Sequence, residues 1–487
     1  MCSLTESALD PAMVAEKVEL VGQDLTCKKC RLQKSVVNLR VRDTYCRDCF
    51  LTAVHHRVRA TLGKHKATRP GDRVLVAATG GHNSSALLHV LQQGVQTDTK
   101  RLLFLPSVLY VDEGAVYGQE EAVRRARVEE VVAALRQYGF PVHMAQLESY
   151  NSESVAPVLG GEELVFSPEL SSSLAASFAS VREGSARQEL LLQLRRSVLV
   201  RAARELGAAK VFTGENGTAL AVELLAGVAG GAGASLPHRV GWRDSREEGV
   251  EVLRPLRDVS AKESALYCAL HRLDTVAPCQ SWGVGQDALY SIRKLTEEFL
   301  VGLQQDFPAT VPTIFKTGDK LCAGEGEGEG CVLCGGSLDT DTALHCSLQA
   351  TQFSSLVSGR GREEGLGERV ATLLEEEGGR VATLLEEEAR NCTTSTSTTS
   401  SCATSCAEPS SGVESSGCCG AGDGSCKSGQ APASASLQEV VRQLCYSCRR
   451  TLAKVRQVQE LPAGLLRRVD IRLRREEMRS EISEFLL

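Results

Sequence analysis

Short apolar runs alternate with longer stretches of helical periodicity between Asp72 and about Leu321. Strands are predicted at RVLVAA, LLFLPSVLYVD, PVHMAQL, AKVFTG and VEVLRPL. A helical repeat of apolar positions predicts helices at Glu120–Tyr138, Gln188–Leu206, Lys262–Leu273 and Ala288–Leu303. Strands that alternate with helices in this way are typical of a parallel sheet with helices on both faces. The sequence therefore predicts an α/β fold.

Composition separates the remaining segments. We expect a flexible tail at 1–26 and an insertion rich in Ser, Gly and Ala at 149–186. Residues 355–436 form a low-complexity tract that is largely Ser/Thr/Gly-rich, so it buries too little apolar surface to fold. RVATLLEEE occurs there twice, which is too few copies for a solenoid and indicates a local duplication. Order is predicted to return at 437–487.

The overall composition is that of an ordinary cytosolic protein. Its 487 residues with 42% hydrophobic content can form one or two cores, and a net charge of −6 predicts no nucleic-acid partner by itself. The N-terminus lacks the order of a signal peptide, and no run reaches the roughly 18 apolar residues of a membrane span. Many of the 19 cysteines form CxxC pairs, which favours reduced thiols and metal over disulfides. We expect a cytosolic protein without membrane contact.

Two CxxC pairs near the N-terminus have the spacing of a zinc ribbon. Cys27 and Cys30 are separated by fifteen residues from Cys46 and Cys49, which is room for a short hairpin. Four thiolates fill the tetrahedral coordination of Zn²⁺, so the site would be structural. The alternative is four unrelated reduced cysteines, which the spacing disfavours. A basic helix is predicted to follow, and the whole unit spans 27–69.

Two further CxxC pairs, Cys331 with Cys334 and Cys445 with Cys448, are separated by 110 residues. Closing this longer loop costs only about 1.8 kcal/mol more than closing one of fifteen residues. Structural zinc binds with on the order of 10 kcal/mol or more. We therefore predict a second zinc unit that joins 331–334 to 437–487. The cysteines between the pairs lack ligand spacing and are interpreted as incidental: Cys392, Cys402, Cys406, Cys418, Cys419 and Cys426.

The stretch DRVLVAATGGHNSSALLHVL has the layout of a phosphate-binding loop, with a strand, a glycine turn and a helix. Gly80 and Gly81 allow an anion to approach the backbone N–H groups, and Ser84 and Ser85 can donate hydrogen bonds. The loop matches neither GxxxxGK[ST] nor GxGxxG. By itself it is weak evidence, because an ordinary strand-to-helix connection is the more frequent explanation.

Taken together, the motifs resemble those of the N-type ATP pyrophosphatases, and more narrowly the cytoplasmic tRNA 2-thiolation protein 2 family. In chain order they are YCRDCF, H-x-x-R-x-x-LGK, the loop after RVLVAA, VDEG, VFTGENGTALAVELLAG, RPLRDVSAKESALY, CVLC and CYSC. The resemblance implies a Rossmann-like adenine nucleotide α-hydrolase domain at 70–321. It also implies a role in 2-thiolation of the tRNA wobble uridine. Active relatives adenylate the uridine C2 oxygen with ATP, and a sulfur nucleophile then displaces AMP.

The loop departs from the SGGKDS pattern of active relatives. Thr79 replaces the first Ser, and His82 and Asn83 stand where Lys and Asp belong. This removes a cation that faces the departing pyrophosphate and a carboxylate that helps to hold Mg²⁺. The second motif, TGHNxDD in active relatives, reads TGENGT from Thr213 and lacks both aspartates. The remaining candidates for binding a nucleotide or phosphate are Thr79, Gly80, Gly81, Ser84, Ser85, Asp112, Thr213 and Gly214.

The resemblance implies that the chemistry belongs to a partner. Neither Cys268 nor Cys279 matches a catalytic position of active thiolases. ATP and Mg²⁺ are therefore expected in the catalytic paralogue, cytoplasmic tRNA 2-thiolation protein 1, with which this chain would form a heterodimer. The sulfur would come from the thiocarboxylate of a ubiquitin-related modifier. This chain would be a non-catalytic or weakly catalytic subunit that binds tRNA.

A basic segment is the candidate RNA surface. From Cys27 to Arg69, twelve Lys and Arg face Asp43 and Asp48, a net charge of +10. Phosphate contacts by such residues supply most nucleic-acid affinity, although a solvated basic face is equally consistent with the sequence. The arginines of the C-terminal stretch alternate with glutamates and predict a helix with ion pairs. The RNA candidates are Lys28, Lys29, Arg31, Arg57, Arg59, Lys64, Lys66 and Arg69.

Two other functions stay open at this point. The chain could be an autonomous ATP pyrophosphatase that uses His82, Asn83, Asp112, Glu113 and Glu215. It could instead be a zinc-ribbon scaffold whose α/β domain only docks proteins. Binding of RNA that weakens steeply with salt would argue against the scaffold.

Overall fold

A seven-stranded sheet forms the centre of the molecule, and helices cover both of its faces. The computed structural model describes residues 26–39, 43–97, 102–277, 291–322, 329–338 and 435–485, with side chains up to residue 482. The predicted tail, the RVATLLEEE duplication and nearly all of the low-complexity tract lie outside the described residues.

The strands in the described ranges fall into two sheets. They are β1 (Val37–Asn38), β2 (Thr44–Tyr45), β3 (Arg73–Ala77), β4 (Leu105–Asp112), β5 (Val142–Gln146), β6 (Val158–Leu159), β7 (Lys210–Phe212), β8 (Arg243–Asp244) and β9 (Glu251–Leu253). The first two pair antiparallel as a small hairpin. The others form the main sheet in the order β6-β5-β4-β3-β7-β9-β8.

The direction of winding in the main sheet reverses next to β3. The central strands β5, β4, β3, β7 and β9 are parallel, and the edge strands β6 and β8 are antiparallel to their neighbours. From β3 the chain builds outward through β4 and β5, and it later returns to the other side of β3 with β7 and β9. In open parallel sheets, such a reversal leaves a crevice at the carboxyl ends of the strands. The loops after β3 and β7 border this crevice.

Helices connect and cover the strands. In chain order they are α1 (Arg47–Lys64), α2 (His82–Gln96), α3 (Glu121–Arg136), α4 (Pro168–Ser180), α5 (Gly184–Glu205), α6 (Gly217–Ala229), α7 (Leu236–Val240), α8 (Ala261–His271), α9 (Ile292–Asp306), α10 (Thr310–Gly318), α11 (Leu437–Arg442), α12 (Tyr446–Leu452) and α13 (Ala463–Phe485). Within the described part of the chain, none of them has the length and apolar character needed to cross a membrane.

The two faces of the sheet carry separate apolar cores. Along β3, Val74 and Val76 belong to one core, whereas Leu75 and Ala77 belong to the other. The first core includes side chains of α1, α2, α3 and α8; the second includes side chains of α4, α5 and the C-terminal helices α11 to α13. Burial on both faces explains why these strands read as nearly continuous apolar runs in the sequence.

The predicted α/β fold with a parallel sheet and helices on both faces is confirmed. All five predicted strands are present, although each is shorter than its apolar run. The edge strands β6 and β8 were missed, because strands of two residues leave no periodicity to detect. The segment 149–186 supplies β6 and α4, and its Leu174 and Phe178 are buried in the second core.

A buried ion-pair network joins α5 to the edge of the sheet. Asp244 on β8 is fully buried and accepts hydrogen bonds from Arg196 Nε at 2.9 Å and Arg246 Nη2 at 2.8 Å. Arg246 Nη1 also donates to the carbonyl of Cys334 at 3.0 Å, so the network reaches the C-terminal cysteine unit. Burial alone would raise the pKa of Asp244, but the two guanidinium groups outweigh it and hold the pKa well below its usual range.

We expect Asp244→Asn to lower the free energy of unfolding at pH 7 by about 3–5 kcal/mol, because two buried arginines lose their counter-charge. Chemical denaturation of the full chain measures this. The control is Glu251→Gln, which removes the partner of Arg243 in an exposed pair on the adjacent strand and should cost about 0–1 kcal/mol. Equal losses of stability in the two variants would show that the buried pairs of Asp244 contribute no more than an exposed pair.

The same network predicts a pH dependence. Because the folded-state pKa of Asp244 is depressed, its stabilising contribution is present above the unfolded pKa of about 3.9 and is lost as the pH falls further. The difference in unfolding free energy between the native chain and Asp244→Asn should therefore shrink in acid.

Candidate functional site

The loop after β3 has the strand–turn–helix geometry that the sequence predicts. Gly80 adopts a φ of +82°, and α2 begins at His82 with Gly81 as an extended N-cap that offers no side-chain cap. The first N–H groups of a helix have no partner within the helix and can bind an anion. The backbone of a phosphate cradle is therefore present at the reversal point of the sheet.

The hydroxyl groups of the loop are used differently from the sequence prediction. Ser84 and Ser85 are buried, and their hydroxyls donate to the carbonyls of Gly81 at 3.0 Å and Gly80 at 3.1 Å. These two hydroxyls therefore hold the turn in shape. The hydroxyl oxygen of Thr79 is buried without a hydrogen-bond partner among the described residues, which makes it the loop hydroxyl best suited to a ligand.

The segment after α8 lies against the loop. The N–H of Val276 donates to the carbonyl of Gly80 at 2.9 Å. A Cβ atom at Gly80 would meet the Val276 side chain at 3.2 Å. Glycine is required here for two reasons, the left-handed backbone and this close approach.

The motif after β7 meets the loop through two asparagines. Asn216 Nδ2 donates to Asn83 Oδ1 at 2.9 Å, and Asn216 Oδ1 accepts from the N–H of Ala219 and so caps α6. Asn83 stands where active relatives of the resembled family have an aspartate. In this chain the position joins the loop after β3 to the segment after β7 by an uncharged hydrogen bond.

Arginines neutralise the carboxylates at this edge of the sheet. Arg124 Nε donates to Asp112 at 2.7 Å, and Arg254 Nε donates to Glu215 at 2.6 Å. On α5, Arg195 Nη2 donates to Glu113 at 2.6 Å. A carboxylate paired in this way would have to exchange its arginine for Mg²⁺ before it could hold the metal of a nucleotide.

Asp112 is further weakened as a metal ligand. Burial raises the pKa of Asp112 to about 6, although the charge of Arg124 opposes this shift. Arg124 also donates to the buried carboxylate of Glu148 at 2.6 Å, so one guanidinium serves two carboxylates. The predicted nucleotide role of Asp112 therefore conflicts with a structural role in the core.

The four N-terminal cysteines converge as their spacing predicts. Their sulfur atoms lie within 4.8 Å of one another, and Cys30 Sγ is 3.9 Å from Cys46 Sγ. Around a tetrahedral ion with metal–sulfur bonds of about 2.3 Å, sulfur atoms are about 3.8 Å apart. The hairpin β1–β2 separates the two pairs, and α1 starts directly after Cys46. Cys27, Cys30, Cys46 and Cys49 can therefore hold one metal ion.

The C-terminal cysteines also converge, across the long intervening segment. Cys331, Cys334, Cys445 and Cys448 bring their sulfur atoms within 4.8 Å of one another, with Cys334 Sγ 3.6 Å from Cys445 Sγ. The N–H of Gly336 donates to Cys334 Sγ at 3.3 Å, a contact that favours a thiolate. This donor set can hold a second metal ion and fastens α12 to residues 331–334.

Comparison with known proteins finds relatives that cover this chain over its whole length. A family model described as cytoplasmic tRNA 2-thiolation protein 2 matches residues 291–450. The protein of that name from Danio rerio is 31% identical over 536 residues, covering 100% of this chain and 99% of its own length. The Homo sapiens protein is 31% identical over 546 residues, covering 100% and 98%.

The chain belongs to the cytoplasmic tRNA 2-thiolation protein 2 family.

One solved structure also resembles the chain. It is the U34-tRNA thiolase NcsA from Methanococcus maripaludis with its [4Fe-4S] cluster, with 19% identity and a TM-score of 0.46. The similarity covers 68% of this chain and 96% of that structure. A score this low supports no statement about the site of this family member.

The basic candidates of this 2-thiolation family member differ in their exposure and in their ion pairs. Lys28 pairs with Asp43 at 2.6 Å, and Arg57 pairs with Glu263 at 2.6 Å. Arg57 therefore fastens α1 to α8, and an RNA phosphate would have to displace Glu263 from it. Arg59 is half-buried on α1. Five candidates are exposed at the two ends of the unit 27–69 and stay a prediction: Lys29, Arg31, Lys64, Lys66 and Arg69.

The sequence did not reveal the arginines that bind the carboxylates of the site. Arg124, Arg195 and Arg254 lie 12, 82 and 39 residues from the carboxylates they bind. No local spacing marks such pairs, because each forms only when two elements pack. The C-terminal helix is present, but the glutamates that Arg468 and Arg472 bind, Glu247 and Glu329, belong to other segments and are not the alternating glutamates of the helix itself.

We expect Gly80→Ala to destabilise the chain more than Gly71→Ala. Both glycines have a φ of +82°, so an alanine at either costs about 1–2 kcal/mol of backbone strain. Only at Gly80 does the new Cβ press on Val276, which adds about 1–3 kcal/mol. Denaturation of both variants measures the difference, and equal losses would mean that the segment after α8 does not lie against the loop.

Proposed function

We propose that this chain is a non-catalytic subunit of a cytoplasmic complex that forms 2-thiouridine at the tRNA wobble position. Its relatives carry the name cytoplasmic tRNA 2-thiolation protein 2, and they match its whole length. On the same ground, we place the chain in the cytoplasm. The catalytic subunit is its paralogue, cytoplasmic tRNA 2-thiolation protein 1, and the sulfur donor is a thiocarboxylated ubiquitin-related modifier.

The pairing of the acidic side chains around the loop carries this proposal. Asp112, Glu113 and Glu215 are each bound by an arginine. Adenylation by ATP needs cations that face the pyrophosphate and carboxylates that hold Mg²⁺. This loop has His82 in place of the lysine, and its neighbouring carboxylates already have partners. An autonomous ATP pyrophosphatase would need these pairs to break in every catalytic cycle.

The backbone cradle still supports binding of a phosphate group. The N-terminus of α2 follows this turn directly, and the hydroxyl oxygen of Thr79 in the turn has no hydrogen-bond partner among the described residues. In the proposed complex this turn binds a nucleotide or a tRNA phosphate without chemistry. The chain then contributes binding surface, and the paralogue contributes the reacting groups.

Zinc is the metal that best fits both cysteine clusters. Four cysteine sulfurs within 4.8 Å suit one tetrahedral ion, which they saturate. An iron–sulfur cluster would hold its thiolates farther apart, since its own iron and sulfide atoms lie between them. With no open coordination position, each zinc would be structural. One supports the base of α1, and the other joins α12 to residues 331–334.

Reconstitution tests the division of labour. We expect tRNA thiolation with ATP and sulfur donor only when this chain and the paralogue are mixed, and none from this chain alone. Gly81→Asp places a carboxylate in the cradle. In the mixture, loss of thiolation by this variant would indicate that the cradle binds a phosphate, and unchanged thiolation would indicate that the loop only docks proteins. Thiolation by the isolated chain at the rate of an active relative would overturn the proposal and support an autonomous enzyme.

The exposed lysines at the end of α1 provide a test of RNA binding. Lys64 and Lys66 are both exposed and are separated only by His65, where α1 ends and the chain continues to β3. Cations that contact phosphates supply affinity and a salt dependence that grows with the number of contacts.

We expect Lys64→Glu with Lys66→Glu to weaken tRNA binding by the complex at least tenfold. The slope of log affinity against log salt should fall by about one for each lost contact. The matched control is Lys316→Glu with Lys320→Glu, which makes the same charge change at exposed positions in and just after α10. Equal weakening by both pairs would indicate that net charge alone, and not this surface, sets the affinity.

A further inference from the structure

Three histidines from three different helices meet where α1, α2 and α8 pack together. His55 lies on α1, His89 on α2 and His271 at the end of α8. One ring nitrogen of each lies within 4.8 Å of those of the other two. The rings of His89 and His271 are the closest, with centroids 4.3 Å apart. Sequence spacing gave no sign of this cluster, because its members are far apart in the chain.

A tyrosine holds two of the three rings. The hydroxyl of Tyr267 lies 2.7 Å from Nε2 of His55 and 2.7 Å from Nδ1 of His89. Tyr267 is fully buried, and burial raises its pKa above the usual range, so it remains a neutral hydroxyl. Metal-binding histidines are commonly oriented by such a hydrogen bond to one ring nitrogen, which leaves the other for the metal.

The third histidine has an unsatisfied nitrogen. Nε2 of His271 is buried and has no hydrogen-bond partner among the described residues. Leaving a buried polar nitrogen without a partner costs about 1–3 kcal/mol, so such atoms call for an explanation. A metal ion shared with the two neighbouring imidazoles would satisfy it.

From this geometry we propose that His55, His89 and His271 form a third metal site, which binds a divalent transition-metal ion such as Zn²⁺. Three imidazole nitrogens match the ligands of zinc, copper and nickel, whereas Mg²⁺ and Ca²⁺ prefer oxygen. Around a tetrahedral ion with metal–nitrogen bonds of about 2.0–2.1 Å, the nitrogens are about 3.3 Å apart, so nitrogens that lie within 4.8 Å of one another close in by at most about 1.5 Å when the ion binds.

The protonation state of the rings agrees with this site. Burial lowers the pKa of both His55 and His89 to about 4. At neutral pH both rings are uncharged, and each has a nitrogen lone pair for a metal. After burial, the charge of Arg47 lowers the pKa of His271, and those of His271 and Arg59 lower the pKa of His55. The two arginines also repel a bound cation, so the imidazole–metal bonds must outweigh this repulsion.

The site would fix α1 to the α/β domain. Arg47 Nη2 already donates to the carbonyl of Leu270 at 3.0 Å, and Arg57 binds Glu263. His55 lies between these two arginines on the same helix and faces α8. A metal ion here would tie together α1, which carries Cys49 of the N-terminal cysteine cluster, α2, which follows the loop after β3, and α8. It is separate from both cysteine clusters and independent of the proposed thiolation function.

Cobalt titration of the full-length, tag-free chain tests the site while the cysteine clusters keep their metal. We expect one equivalent of Co²⁺ to bind with the visible absorption of nitrogen-ligated cobalt and without a thiolate-to-cobalt band. His89→Gln and His271→Gln should each weaken this binding at least tenfold, the effect of losing a metal ligand. The matched control is His56→Gln, at an exposed histidine next to His55, which should bind cobalt as the native chain does.

Metal titration of the native chain tests the three-histidine site even if a variant fails to fold. Absence of any cobalt or zinc uptake beyond the cysteine sites, measured by equilibrium dialysis and elemental analysis, would overturn the proposal. Unchanged uptake in folded His89→Gln and His271→Gln would overturn it equally. A zinc-dependent rise in the melting temperature of the native chain and of His56→Gln, but not of the other two variants, would support it.

Discussion

Buried arginines need carboxylates, and this requirement organises the molecule. The helix α5 runs through the second core with Arg195 and Arg196 on it, both largely buried. A guanidinium taken out of water without a counter-charge costs several kcal/mol, so each must find an acid. Arg195 binds Glu113 at the carboxyl ends of the parallel strands, and Arg196 binds Asp244 on the outermost strand, β8.

The same requirement decides the electrostatics of the crevice beside β3. A crevice at the reversal point of a parallel sheet is where ligands bind in such folds. Here the acids that border it are bound by arginines of the chain, and Asn216 donates an uncharged hydrogen bond to Asn83. The backbone geometry of the loop persists because it depends on Gly80 and on the start of α2, which the fold needs in any case. The neighbouring carboxylates, by contrast, are paired with arginines of the chain.

The two cysteine clusters support opposite faces of one sheet. The N-terminal cluster precedes α1, whose Phe50 and Val54 belong to the first core, and the C-terminal cluster contributes Cys331 and Cys448 directly to the second. A metal ion in each would hold a chain end against the domain, where a short hairpin or a short helix could not remain by itself. The histidine cluster lies on the first face and would add a third link there.

The sequence alone determined the features that depend on neighbours along the chain. Short apolar runs and helical patterns indicated the parallel strands and the longer helices, and the glycine pair indicated the turn at Gly80, because these signals arise within a few residues. The CxxC pairs indicated both cysteine clusters, since two ligands of each pair are already close in sequence. The tertiary structure alone decided which acids are neutralised and which histidines meet. Arg124, Arg254 and the three histidines acquire their partners only when separate helices and strands pack on the sheet, and no local pattern records that packing.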